Sequence, residues 1–129
     1  MADRHEQIKW DVIKLWTEEK RGRLYCVNQG MATPLNGNHP IWFGPLKRVF
    51  KGMPDTMGFE YMTVYKNKKP DTKSIRVPVF CVVEIKTRND NLSVHQKRVI
   101  RFLVSIGALC YVAKENKDDD DYTLKRWEG

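Results

Sequence analysis

The sequence predicts an α/β protein with a mixed central sheet flanked by helices, and three observations carry that reading. Ile8, Val12, Ile13, Leu15 and Trp16 recur at helical spacing within residues 5–20. The run Val79-Phe80-Cys81-Val82-Val83 is apolar on both faces, as a central strand covered from both sides must be. Ser93 to Ile106 returns to helical spacing, so helix, strands, helix and strand follow one another along the chain.

The remaining elements fall between these. Gly22 can stop the first helix, and Leu24-Tyr25-Cys26-Val27 reads as a short strand. A stretch rich in Gly, Pro and Asn through Pro45 reads as loop, with Ile41-Trp42-Phe43 a short strand inside it. Phe59 to Tyr65 is aromatic, β-branched and alternating, which suits a strand. Residues 66–73 form a polar hairpin loop, and Val77 to Thr87 is the central strand. Ser93 can N-cap the second helix and Gly107 can end it. Ala108 to Ala113 is a last short strand. The acidic run Asp118–Asp121 then leads into Tyr122–Trp127, read as a terminal helical turn with acid at its N-terminus.

A chain of 129 residues is one domain, taken as 1–129 without a linker or repeat. With 41% hydrophobic and 30% charged residues it is neither a disordered tail nor a membrane protein. No apolar stretch reaches membrane-spanning length, so no membrane partner is expected. Three widely spaced cysteines disfavour a disulfide framework and a zinc ribbon. Cys81 and Cys110 read as small core residues, and a cytoplasmic setting follows from the reducing compartment.

The net charge of +7 points to a polyanionic partner. Residues 66–101 hold ten Lys and Arg against three acids and so carry that whole excess. Lys66, Lys68, Lys69, Arg88 and Lys97 in this region are candidate nucleic-acid contacts, as are Lys47, Arg48 and Lys51 upstream. An exposed charged helix face is the commoner explanation for Lys97, Arg98 and Arg101.

Glu84 and Lys86 lie two apart on the central strand, so they share a face. Two charges on an apolar strand need partners or a ligand. Asp55, after the Gly52-x-Pro54 turn and before a strand, can be held rigidly near Glu84. The rival Pro-Asp pair ends in Asp71, in the Lys-rich hairpin, where a carboxylate would be solvated. Gln96 lies on the apolar face with Val99, Ile100 and Leu103; it either closes a capping box with Ser93 or reaches the Glu84 site. Glu6 shares a helix face with Trp10 and Ile13, or else stabilises the first turn. His5, His39 and His95 have no ligand-like spacing.

Glu6, Gly52-x-Pro54-Asp55, Glu84-x-Lys86 and Gln96 together resemble the PD-(D/E)XK nuclease superfamily, and more narrowly its VRR-NUC branch, the Holliday-junction-resolvase-like virus-type nucleases. The resemblance runs from about Arg4 to Glu115. It includes Arg23-Leu24-Tyr25-Cys26-Val27-Asn28-Gln29-Gly30, Val83-Glu84-Ile85-Lys86-Thr87 with Leu92-Ser93-x-x-Gln96, and Gly107. It implies a restriction-endonuclease-like αβββαβ core and a Mg2+- or Mn2+-dependent DNA endonuclease acting on branched or structured DNA, leaving a 5′-phosphate. It further implies Asp55, Glu84, Lys86 and Gln96 as catalytic residues and Glu6, Asp55, Glu84 and the Ile85 carbonyl as metal ligands. The long span between Asp55 and Glu84 departs from the pattern and keeps Asp71 as an alternative to Asp55. A non-catalytic nucleic-acid-binding module on the same fold is the second expectation, and a protein-interaction domain the third. Apolar residues beyond one small core, and the two-fold symmetry of a junction, favour a homodimer.

Overall fold

A computed structural model describes residues 3–27, 30–32, 41–43, 53–65 and 73–128. Helix α1 (Arg4–Glu18) begins where the Asp3 carboxylate accepts the His5 N–H at 3.1 Å, an N-cap that satisfies one orphan donor. Ile8, Val12 and Trp16, four residues apart, form its buried stripe. Strand β1 (Gly22–Cys26) pairs antiparallel with β4 (Thr56–Tyr65), and the approach is close. A Cβ at Gly22 would lie 2.0 Å from the Phe59 carbonyl oxygen, so no other residue fits there without parting the strands. Between them, β2 (Gly30–Ala32) and β3 (Ile41–Phe43) form a separate two-stranded antiparallel sheet.

Strand β5 (Ser74–Lys86) is the longest and lies at the centre of a five-stranded sheet of order β1-β4-β5-β6-β7. It pairs antiparallel with β4 and parallel with β6 (Leu109–Glu115), and α2 (Val94–Ser105) makes the crossover that a parallel pair requires. Alternation along β5 divides the core into two layers. Cys81, Val83 and Ile85 pack with Ile8, Val12 and Trp16 of α1, while Val82 packs with Ile100 and Leu103 of α2. Period two therefore puts Glu84 and Lys86 on the α2 side. Helix α2 ends where Gly107 adopts φ +97°, a left-handed conformation that only glycine takes without strain. Among the described residues no helix is long and apolar enough to cross a membrane.

Two expectations need correction. Tyr122–Arg126 is strand β7, antiparallel to β6, and not a helical turn. Tyr122 and Leu124 pack onto the α1 core, an alternation that covers what would otherwise be the exposed edge of β6. The acidic run is the turn joining β6 to β7: the Asn116 N–H donates to the Asp121 carbonyl, and Asp119 Oδ1 accepts from both Asn116 Nδ2 and the Asp121 N–H. On the α1 face that bears Glu6, Trp10 is 56% exposed while Ile13 packs against the core.

Candidate active site

At the Glu84 end of β5 the sheet opens on one side. Strand β4 begins at Thr56, opposite Val83, so Glu84, Ile85 and Lys86 have β6 as a neighbour but no β4 residue facing them. The chain bends away just before Thr56, and the Asp55 side chain takes over the ladder: its Oδ2 accepts the Ile85 N–H at 2.8 Å. The Asp55 backbone is held as well, its carbonyl accepting the Val27 N–H at 3.0 Å. The N–H and C=O of a strand residue point to the same side, so the Ile85 carbonyl faces the space β4 has left. Extending the β4 register by two residues would set Pro54 opposite Ile85, and proline has no N–H to donate to that carbonyl. The Pro-Asp order thus holds a carboxylate beside the central strand and, among the described residues, brings no backbone donor to the Ile85 carbonyl.

Glu84 and Lys86 are 3% and 6% exposed. Glu84 Oε1 lies 3.7 Å from Lys86 Nζ and accepts from Gln96 Nε2 at 3.1 Å. Lys86 Nζ is also 3.5 Å from an Asp90 carboxylate oxygen. Among the described residues, Glu84 Oε2 is buried and accepts no hydrogen bond. Burial first, and the neighbouring Asp55 carboxylate second, push the Glu84 carboxyl up to about 9, with Lys86 pulling it down by less. Two carboxylates crowded in a poorly solvated place would each be stabilised by a nearby cation. The donors Asp55, Glu84 and the Ile85 carbonyl are hard oxygens, which suits Mg2+ or Mn2+. Among the described residues no three His, Cys, Asp or Glu side chains form a ready metal cluster, so the backbone oxygen and water would complete such a shell.

The structure brings Asp55, Glu84, Lys86 and Gln96 together. Both readings of Gln96 hold at once: it closes the capping box with Ser93 and still reaches Glu84. Glu6 lies one side chain removed, 47% exposed, with Oε1 2.6 Å from Lys9 Nζ and 3.9 Å from His5 Nδ1. The pairing with Lys9 holds its carboxyl below the usual value. Its neighbour His5 faces the site instead, Nε2 lying 3.4 Å from Asp55 Oδ2. Sequence spacing gave no sign of this, because the contact depends on where the first turn of α1 lands against β4.

Of the cationic candidates, Lys47, Arg48, Lys51, Lys66, Lys68 and Lys69 lie outside the described residues, as does Asp71. Lys97 is exposed on α2. Arg88 braces the turn after β6. Its Nε and Nη2 donate to the Asn116 and Asp119 carbonyls at 2.8 and 2.9 Å, and its backbone N–H donates to Glu115. Arg4 joins Glu115 from α1 at 2.7 Å, tying the β6–β7 turn to both ends of the site.

Compared with known protein families, residues 4–115 match the VRR-NUC domain. No curated protein and no solved structure matches the chain.

Proposed function

The chain belongs to the VRR-NUC family, a nuclease-type fold, and on that premise we propose that it is a divalent-metal-dependent DNA endonuclease acting on branched or structured DNA. The observation that carries this reading is the buried Glu84 Oε2, which accepts no hydrogen bond among the described residues, beside the Asp55 carboxylate at the open end of the sheet. Asp55, Glu84 and the Ile85 carbonyl would hold Mg2+ or Mn2+, with Glu6 reaching the ion through water. When bound, such an ion supplies positive charge for the scissile phosphate and acidifies a water. Lys86 lies close enough to Glu84 to meet the same phosphate, where its ammonium offsets developing negative charge and orients the attacking water. Gln96 fixes the rotamer of Glu84 and so aims its free oxygen. A purely binding module would gain nothing from two acids at the place where a polyanion must lie.

A second copy of the chain is part of the proposal. Strand β1 accompanies β4 only as far as Glu60, and β6 joins β5 only from Cys81. The arm formed by the far halves of β4 and β5 exposes Met62, Val64 and Ile75 on one face and Tyr61 and Tyr65 on the other, apolar groups that an isologous partner would cover.

A nicking assay on branched and linear DNA, with and without divalent metal, tests the activity. Glu84→Ala and Lys86→Ala should each abolish metal-dependent cleavage; cleavage unchanged in both would overturn the assignment.

A further inference from the structure

Beside Lys86, on the α2 side of the sheet, lies a groove of about 800 Å³. Its cationic walls are Lys97 of α2, Lys114 of β6, Lys117 in the turn that follows, and Lys125 and Arg126 of β7, with Trp127 among its lining. Two of these lysines follow from strand register. Lys114 is the β6 partner of Lys86, one strand spacing away, or about 4.8 Å. Val112 partners Glu84 on one side and Lys125 on the other, which sets Lys125 two spacings, about 10 Å, from Glu84. Cationic side chains therefore step away from the acidic pair, across β6 and β7, on the same face of the sheet.

The groove keeps its charge. Lys97, Lys117 and Lys125 form no ion pair with a described acid, Lys114 Nζ is held by the neutral Asn91 Oδ1 at 2.7 Å, and Arg126 is the wall cation that meets a carboxylate, Glu128 at 3.9 Å. Of the two acids in the lining, Glu115 is bound by Arg4 and the Arg88 N–H, and Asp90 lies against Lys86. Its volume is that of a small-molecule site, enough for a few unpaired nucleotides and too small for a turn of duplex. Aromatic surface beside tracking cations is the chemistry that binds a single strand.

We propose that this groove seats the phosphate backbone of an unpaired DNA strand leading away from the scissile phosphate, with Lys114, Lys117 and Lys125 as its phosphate contacts. The proposal rests on the nuclease reading of the acidic pair for its direction, but binding can be measured without cleavage.

The test is fluorescence anisotropy in EDTA with a labelled twelve-nucleotide oligo-dT and a blunt duplex of the same length. Combining Lys114→Gln, Lys117→Gln and Lys125→Gln should weaken oligo-dT binding at least tenfold near 0.15 M salt. The slope of log K against log salt should fall by about 2, since each single-strand phosphate contact contributes about 0.7. Duplex binding should change less, and Lys14→Gln on the exposed side of α1 should change neither. Lys125→Gln alone, at an exposed position, should lower the slope by about 0.7 should the triple variant fold poorly. Unchanged oligo-dT affinity and slope, or an equal loss for duplex, would overturn the groove assignment. Failure of the nuclease reading is separate: wild-type protein would bind oligo-dT as described yet nick nothing when metal is added.

Discussion

Gln96 Nε2 donates to Glu84 Oε1 at 3.1 Å while Gln96 Oε1 accepts the Ser93 N–H at 2.9 Å, so one amide both caps α2 and orients the buried carboxylate. Helix capping and site geometry are coupled through a single side chain. The two roles can be separated by substitution. Ser93→Ala and Gln96→Ala should each lower stability by about 1 kcal/mol, the usual size of a lost cap. Only Gln96→Ala should also lower kcat and raise the metal concentration needed for half-maximal rate. Equal activity in the two variants, measured on one nicked substrate across a metal titration, would show that the Glu84 contact has no part in catalysis.

Asp55 and Glu84 are expected to act as a pair. Asp55→Ala should abolish cleavage as fully as Glu84→Ala, while Asp71→Ala should leave the rate nearly intact. The position of Asp55 against the Ile85 N–H is the reason for choosing it. The opposite ranking in the same nicking assay would transfer the role to Asp71. Glu6→Ala should have the smallest effect, visible at low metal only, because its carboxylate is paired with Lys9 and largely solvated.

Glu84 also gives the metal-free protein a pH dependence of known sign. Its carboxyl is raised from 4.5 to about 9, chiefly by burial and then by Asp55. Between those values the folded protein holds a proton that the unfolded chain releases, so this contribution to stability falls as pH rises. Thermal melts in EDTA from pH 5 to pH 9 should show Tm declining for wild type and a flatter profile for Glu84→Gln. Mg2+ or Mn2+ at pH 8 should raise Tm in wild type by replacing the proton with a favoured cation, and should do little in Glu84→Gln. An identical pH profile in the two proteins would remove Glu84 as its source.

Much of the fold was legible in the sequence because its main elements are long and periodic. The stripe Ile8, Val12, Trp16 and the two-faced run Val79–Val83 each state their neighbours. Glu84 and Lys86 stood out as charges on an apolar strand. Strand β7 did not, because five residues of mixed polarity after four aspartates look locally like a helix start. Only the open edge of β6, a nonlocal fact, makes Tyr122–Arg126 a strand. The basic groove was hidden for the same reason, since Lys114 and Lys125 share a face only once β6 and β7 are in register. His5 was passed over because nothing near it in the chain refers to Asp55.

Pro54 is buried, and its place beside the site follows from register and not from any local pattern. A β4 ladder continued by two residues would set it opposite Ile85, where any other residue would bring an N–H. A ladder extended by that donor would tie up the Ile85 carbonyl and draw the backbone across the space beside Glu84. Pro54→Ala removes two buried ring carbons, a loss of about 1–2 kcal/mol, and the new N–H has a carbonyl to satisfy it, so the fold should remain intact. The expected result is a higher metal requirement and slower cleavage, with circular dichroism close to wild type and Tm lowered by a few degrees. Full activity at limiting metal would show that the Ile85 carbonyl is not needed as a ligand. A large loss of Tm, in contrast, would mean that Pro54 acts by packing beneath the site and not by withholding a hydrogen bond.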